Sequence, residues 1–386
     1  MLFIDMSYEI KLKDLPAGYV VKGAPKGGQV TVCFRDFFSS EDGQELIHQL
    51  EGVPRDIISK LPPEAKATES RTDNLLAIIR KDQTATVYYN DFLPTSIMRI
   101  KSKVKAGEPI YSDHIMDMER VELNDFNIPE DASICYVFSF GWRKGLFFDY
   151  GPTYVGREKP RGYDLGKVFA QFHAQVLFQH LFSIDEDTWK ELFRQGWFPF
   201  IYLKHEQIKN LIALARQKLP TDDAIPNIRD SVLTTLAERL PDWEKDAVIA
   251  PHFEFVSAAY KHYATNDYLS AAAILFPRIE GIMRTHAQVV IPGTPLKQEN
   301  LATVSAAGGG NVVKPTSLLL PDRFKQYLSE IYFANFDPKN PQGVSRNTVS
   351  HGVVDAKLLD CKAATIAFLI LLQISSVSSF AMKKTT

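Results

Sequence analysis

Two hydrophobic periodicities divide the 386-residue chain. Before about residue 155, apolar and polar residues tend to alternate, which is the pattern of half-buried strands. The strongest case is a pair of aromatic-rich runs at 134–140 and 146–150, joined by a glycine-containing loop, which predicts a β-hairpin. Further strands are predicted over 29–34, 84–89 and 98–104, and helical pieces over 40–51 and 73–80.

From residue 164 onward, the period changes to 3.6, which is typical of amphipathic helices. Asp267 offers an N-cap for a helix over 267–289, and Pro277 inside it predicts a kink. Other helices are predicted over 164–181, 186–194, 205–217, 228–240, 253–264, 321–335 and 355–382. We therefore predict an α+β protein with a β-rich mixed domain of unknown role over 1–155, a helical connecting region over 156–248 and a helical bundle over 249–386.

Two segments each allow two interpretations. The terminal helix contains the apolar run 366–372, which is far shorter than the roughly 20 residues that span a bilayer, and Gln373 and four serines follow it. We favour a buried bundle helix over a membrane tail anchor. The insertion 291–317 holds three consecutive glycines at 308–310 but no GxxxxGK[ST] motif, so we favour a flexible loop over a nucleotide cradle.

Composition narrows the class of protein. Hydrophobic residues make up 45% and charged residues 23% of the chain, as in soluble globular proteins. The formal net charge of -2 provides no global basic field, so any nucleic acid must bind a local patch. Three distant cysteines indicate a reducing compartment and argue against disulfide or zinc frameworks. No secretion signal is apparent, and we expect a cytoplasmic protein.

Two groups of reactive residue types have ordinary explanations. Ser112, Asp113 and His114 are the residue types of a catalytic triad, but neighbouring side chains point in different directions, so we favour a surface loop. His173 and His180 lie seven residues apart on one helix face without a third ligand nearby, so we favour core or surface histidines over a metal site.

The polar stretch 345–352 carries the most specific chemistry. A short helix is predicted over 344–351, with Gly352 as its C-terminal cap and Asp355 as the cap of the next helix. His351 then lies at a helix C-terminus, where the dipole favours a positive charge, and the Arg346 fork matches a phosphate. The two side chains diverge by about 140° on a helix, whereas Asn347 and His351 share a face. The Arg346 side chain must therefore bend round the start of the helix toward His351, or two chains must together form the site.

The motif Arg346-Asn347 with His351-Gly352 resembles the R-x4–6-H motif of HEPN domains, and the upstream segment 273–284 resembles the helix that often precedes it. The resemblance covers about residues 250–386. It implies a HEPN-like helical bundle, usually dimeric, and a metal-independent endoribonuclease without a cofactor that leaves a 2′,3′-cyclic phosphate. Such proteins often act in toxin–antitoxin, abortive-infection or anti-phage systems, so an RNA substrate, a second copy of the chain, an antitoxin or a phage-derived trigger would be its partners, with no membrane.

The resemblance also assigns roles to residues. It implies that Arg346 and His351 are catalytic. Asn347, Ser350 and Glu280 would support them, with Glu280 orienting Arg346 or Arg284. Separately from the resemblance, the basic residues Arg284 and Arg278 could belong to a local positive patch that binds RNA.

Two alternatives remain. In one, the bundle is a non-catalytic binding or regulatory scaffold in which Arg346 forms a structural ion pair with Glu280 and His351 is only a helix end. In the other, the chain is an enzyme whose site lies in the β-rich N-terminal part.

Overall fold

A computed structural model of the chain describes residues 7–16, 18–20, 23–123, 126–156, 158–293, 295–309, 312–339 and 343–382. It is about 49% helix and 15% strand, with an N-terminal antiparallel sheet followed by a helical region, which confirms the predicted α+β class. Residue contacts divide the chain into two compact units, Met1–Arg99 with Met118–Ser183 and Ile100–Asp117 with Ile184–Thr386. The predicted boundaries near 155 and 248 fall inside the first and second unit respectively.

The strands are β1 (Ser7–Lys11), β2 (Tyr19–Val20), β3 (Val32–Cys33), β4 (Arg35–Ser39), β5 (Leu75–Ile79), β6 (Thr84–Tyr89), β7 (Thr95–Ile100), β8 (Ile115–Glu122), β9 (Ser133–Phe140) and β10 (Arg143–Asp149). The helices are α1 (Gln44–Leu50), α2 (Val53–Ser59), α3 (Leu165–Leu177), α4 (Gln179–Phe182), α5 (Glu186–Arg194), α6 (His205–Arg216), α7 (Ile225–Trp243), α8 (Phe253–Ala264), α9 (Tyr268–Val290), α10 (Gln298–Ala307), α11 (Pro321–Tyr327), α12 (Arg346–Ser350) and α13 (Cys361–Met382).

The first unit is built on a six-stranded antiparallel sheet in the order β1-β6-β5-β9-β10-β4. The predicted hairpin is confirmed, with Leu146 of β10 opposite Val137 of β9. The helix predicted over 73–80 is wrong, because this segment forms β5. All five residues of β5 are buried, and a continuous apolar run of that length does not distinguish a buried strand from a helix by its period.

Helices cover both faces of this sheet. On one face, Leu46 of α1 and Ile57 of α2 belong to the same buried cluster as Val137 of β9. On the other face lies α3, whose His173 Nε2 is 3.0 Å from the hydroxyl of Tyr136. His173 is buried, so of the core and surface positions that the sequence left open for it, it occupies the core.

The second unit packs its helices around α13. Among the helices that the structure describes, the segment Cys361–Ala381 alone is long and apolar enough to cross a membrane, and 94% of its apolar window is buried inside the protein. The helix begins later than predicted, because Asp360 rather than Asp355 caps it, accepting a hydrogen bond from the Ala363 N–H at 2.9 Å. Asp355 instead caps a short 3₁₀ turn. The expectation of a buried helix is confirmed.

The insertion 291–317 is more ordered than predicted. It contains helix α10, whose residues Leu301, Ala302 and Val304 are buried, so a flexible loop is wrong for this part. Gly310 lies outside the described residues. The helix predicted over 321–335 consists of α11 followed by a π-helical segment, Leu328–Tyr332.

Candidate functional site

Helix α12 is fixed at both ends by local backbone chemistry. The Ser345 hydroxyl accepts a hydrogen bond from the Thr348 N–H at 3.2 Å, and the Ser345 N–H donates to the Thr348 hydroxyl at 2.9 Å. The Ser345 hydroxyl also donates to the carbonyl of Ala334 at 3.1 Å. Gly352 has a φ of +66°, a left-handed conformation that glycine adopts without strain after a helix. Arg346 and His351 therefore lie at the two ends of one short, capped helix.

Glu280 of α9 is a buried carboxylate between two arginines. Its exposure is 4%. Its Oε1 accepts hydrogen bonds from Arg284 Nε at 3.0 Å and Nη2 at 2.5 Å, one turn later on the same helix. Its Oε2 faces Arg346 Nε as an ion pair without the linear geometry of a hydrogen bond. Glu280 thus pairs with both arginines at once, where the sequence left open which of the two it orients.

Asn347 fastens α12 to the end of the π-helical segment. Its amide nitrogen donates to the carbonyls of Phe333 at 2.9 Å and Ala334 at 3.2 Å. Its amide oxygen accepts from Arg346 Nη1 at 3.0 Å and from Gln298 Nε2 at 3.2 Å. Since both ends of this buried amide are occupied, Asn347 positions Arg346 and has no hydrogen-bonding capacity left for a substrate.

Ser350, His351 and Gly352 are the exposed residues of the stretch 345–352. His351 is the C-terminal cap of α12, and its ring centroid lies 5.6 Å from that of Phe336. The imidazole is therefore open to solvent and available to a ligand. Arg346 is less accessible, with 25% of its side chain exposed.

The two arginines predicted to bind RNA lie apart on α9. Six residues along a helix leave Arg278 and Arg284 about 120° apart. The Arg278 guanidinium stacks 3.7 Å above the ring centroid of Phe255, in a cation–π contact, whereas Arg284 lies beside Glu280. Only Arg284 belongs to the ion cluster that contains Arg346.

Two residues near the motif have roles that the sequence did not predict. The buried Tyr332 lies on the π-helical segment, and its hydroxyl donates to the carbonyl of Phe276 at 2.7 Å. Burial raises the pKa of Tyr332 well above its usual value, and the nearby Glu280 charge adds to the effect. Gln298 comes from α10, inside the predicted loop. A π-helical turn has no clear sequence signature, but such turns are frequent at functional sites.

The triad-like residues of the first 150 positions have structural roles. Asp113 Oδ1 accepts a hydrogen bond from the His205 N–H at 2.7 Å, at the start of α6. His114 Nδ1 accepts from the Tyr111 N–H at 3.2 Å. Within the described ranges, no group of three or more His, Cys, Asp or Glu side chains is arranged to hold a metal ion.

The arrangement can bind an anion and move a proton. In the part of the chain that the structure describes, Arg346 Nε faces Glu280 and Nη1 donates to Asn347, while Nη2 donates no hydrogen bond. A phosphate oxygen is a suitable acceptor for that remaining amino group. His351 presents an exposed imidazole, a side chain that can serve as a general acid or base. No protein-family model, no curated protein and no solved structure matches this chain.

Proposed function

We propose that the chain is a metal-independent endoribonuclease of HEPN type that acts as a cytoplasmic homodimer in a bacterial toxin or anti-phage (abortive infection) system. One observation supports the proposal. Arg346 is anchored by Glu280 and Asn347, and its Nη2 donates no hydrogen bond to any described residue; it lies at the start of a short, capped helix whose other end carries the exposed His351.

Cleavage of the RNA backbone requires two things of these residues: stabilisation of negative charge and transfer of protons. The 2′-hydroxyl of one ribose attacks the adjacent phosphorus, forming the 2′ O–P bond as the P–O5′ bond breaks. Arg346 Nη2 would stabilise the extra negative charge on the phosphoryl oxygens. His351, as imidazolium, would protonate the leaving 5′ oxygen, and a neutral imidazole or water would take the 2′-hydroxyl proton. The products are a 2′,3′-cyclic phosphate and a free 5′-hydroxyl.

A dimer resolves the geometric difficulty of the motif. Within one chain, about five helical steps place Arg346 and His351 on faces that differ by about 140°. In a two-fold dimer, two copies of α12 that line one cleft would present Arg346 of one copy opposite His351 of the other. That single cleft would then hold two complete Arg346–His351 pairs.

The test uses purified full-length protein, a mixed RNA pool and excess EDTA. We expect the wild type to produce fragments with 2′,3′-cyclic phosphate ends and His351→Ala to lose at least about a hundredfold in rate. His48→Ala is the matched control, because His48 is an exposed histidine of the first unit. Intact RNA with the wild type, or cleavage by His351→Ala at the rate of the control, would contradict the proposal.

A second candidate is a non-catalytic binding or regulatory scaffold of the same HEPN-like kind. The observation that favours it is the saturation of the motif inside one chain: Asn347 is fully hydrogen-bonded and Arg346 has two internal partners. In that case Arg346→Ala would lower the melting temperature markedly while neither protein cleaved RNA. A folded Arg346→Ala variant that has lost a measurable wild-type cleavage activity would exclude this candidate.

A further inference from the structure

Arg278 of α9 differs from the other two arginines near the motif. Arg284 and Arg346 share the Glu280 carboxylate. Among the described residues, Arg278 forms no ion pair and donates no hydrogen bond, and its Nε is shielded from solvent. Polar groups in such half-buried positions are usually paired within the protein. The Arg278 guanidinium therefore keeps its full capacity to donate to an external anion.

An aromatic ring holds this guanidinium in place. The Arg278 Cζ atom lies 3.7 Å from the ring centroid of Phe255 in α8. The Phe255 side chain is large and apolar, yet 47% of it is exposed. A guanidinium stacked on a ring keeps its edge for a bidentate phosphate contact and its second flat face for another planar group. Phe255 and Arg278 thus form a preorganised platform at the protein surface.

The neighbours of the platform leave it open and add no negative charge. A Cβ atom on Gly281 would lie 3.2 Å from His252 Cε1 and 3.9 Å from Arg278 Cδ, so a larger side chain there would crowd both residues. His252 Nε2 lies 2.9 Å from the Thr285 hydroxyl. Burial, and after it the Arg278 charge, lowers the pKa of His252, so this imidazole is neutral at pH 7 and does not compensate Arg278.

The chemistry of the platform fits a single strand of nucleic acid. Unpaired bases stack on aromatic rings and on guanidinium planes, and phosphate oxygens accept hydrogen bonds from the guanidinium edge. A small inorganic anion would use the edge alone. A duplex keeps its bases stacked on one another, so it would use only the phosphate contact. A single strand is the ligand that uses both parts.

The platform lies across α9 from the motif. Two residues along a helix turn by about 200°, so Arg278 and Glu280 point about 160° apart. A helix with its side chains is about 10–12 Å wide and a stacked strand advances about 3.4 Å per nucleotide, so about three nucleotides separate the two places. We propose that Arg278 and Phe255 form a secondary binding site for single-stranded RNA, several nucleotides from the scissile phosphate. The choice of RNA rests on the nuclease function proposed above.

The test measures binding by full-length protein of a fluorescent single-stranded 2′-O-methyl RNA of about 12 nucleotides, which lacks the attacking hydroxyl. Fluorescence anisotropy at several salt concentrations gives the affinity and its salt dependence. We expect Arg278→Ala to weaken binding about tenfold and to reduce the slope of log K against log salt by about 0.7, the contribution of one phosphate contact. Phe255→Leu, which removes only the ring, should weaken binding about fivefold or more with little change in slope.

Two further variants separate recognition from charge and from folding. Arg278→Lys keeps the charge but loses the planar fork, so it should restore the slope and only part of the affinity. Arg71→Ala removes the same charge at an exposed position of the first unit and should change the affinity less than about twofold. Circular dichroism melting accompanies each variant, because a purely structural role of Arg278 would lower the melting temperature without changing the salt slope.

An unchanged slope in Arg278→Ala, equal effects of Arg278→Ala and Arg71→Ala, or no measurable binding by the wild type would overturn the inference. So would equally tight binding of the same RNA in base-paired form. Binding with an Arg278-dependent slope but without cleavage of natural RNA would contradict the nuclease alone. Cleavage together with Arg278-independent binding would contradict the secondary site alone.

Discussion

At the scale of single residues, Glu280 is the centre of the candidate site. A carboxylate with 4% exposure is stable only when its charge is compensated, and Arg284 and Arg346 provide that compensation from two different helices. The resemblance to HEPN domains had suggested Glu280 only as a residue that would orient Arg346 or Arg284. It could not show that Arg346 also reaches this carboxylate, because that contact depends on how α12 packs against α9.

Glu280→Gln should lower the free energy of unfolding by about 2 kcal/mol. It leaves two guanidinium groups without a counter-charge, and their partial exposure to water limits the cost to less than that of a fully buried pair. Urea unfolding monitored by circular dichroism measures the change. Glu238→Gln, at an exposed position of α7, is the control and should change the free energy by less than about 0.5 kcal/mol. Equal effects of both substitutions would show that the cluster does not stabilise the fold.

The buried His286 should make the folded protein less stable in acid. Burial lowers the pKa of His286 to about 4, and both ring nitrogens lack a hydrogen-bond partner within the described residues. The unfolded chain binds a proton near pH 6.5, so below that pH it holds more protons than the folded state. The stability is thus complete above about pH 6.5 and falls toward pH 4, by about 1.4 kcal/mol per pH unit for this histidine.

The matching experiment compares wild type with His286→Leu by urea unfolding at pH 7 and pH 5. Three of the four tryptophans, Trp189, Trp197 and Trp243, lie in the second unit with His286, so tryptophan fluorescence follows that unit. We expect the variant to lose about 2 kcal/mol less than the wild type between these two pH values. The same loss in both proteins would mean that His286 is protonated in the folded state.

At the scale of elements, α13 shows how a nearly all-apolar helix acquires a unique position. Gln373 is fully buried, and it accepts a hydrogen bond from the Ile201 N–H and donates one to the Leu319 carbonyl, both at 2.9 Å. Ser375 accepts from the Trp243 indole at 2.9 Å. These polar groups connect the helix to three separate segments. Apolar packing buries the helix but does not by itself determine its rotation about its axis or its register. The hydrogen bonds of these polar groups determine both.

Gln373→Leu should destabilise the second unit by about 2–4 kcal/mol. The substitution leaves a buried N–H and a buried carbonyl without partners, and each such group costs about 1–3 kcal/mol. Ser378→Ala is a closely matched control on the same helix, since the buried Ser378 hydroxyl has no hydrogen-bond partner within the described residues, and it should be neutral or slightly stabilising. Thermal unfolding followed by tryptophan fluorescence distinguishes them. A larger loss for Ser378→Ala would reverse this interpretation of α13.

The elements also show where sequence periodicity was sufficient. Helices α8 and α9 lie within about a residue of their predictions because caps and apolar stripes agree there, as at Asp267. Strand β5 was mistaken for a helix because its run is apolar on both faces. Helix α10 was taken as a loop because it has little amphipathic contrast and glycines follow it. Both errors come from segments whose burial, rather than their period, determines their structure.

At the scale of the whole molecule, the fold class could be predicted, but the division of the chain could not. The change from period two to period 3.6 correctly indicates a sheet followed by helices. However, the first unit extends to Ser183 and includes α3 and α4, because Phe172 and His173 of α3 pack on the sheet residues Phe37 and Tyr136. Contacts between residues distant in sequence define a unit, and no local pattern reports them.

Complementation between inactive chains tests whether the proposed site is shared by two copies. Mixing equal amounts of Arg346→Ala and His351→Ala, with subunit exchange, should give half mixed dimers, each with one intact Arg346–His351 pair. The activity expected is about one quarter of wild type, whereas each variant alone is inactive. Cyclic-phosphate formation measures the rate, and sedimentation must show particles of twice the 43.6 kDa chain. If the mixture is no more active than its components while wild type cleaves RNA, Arg346 and His351 act within one chain, and Arg346 must leave Glu280 to reach the substrate.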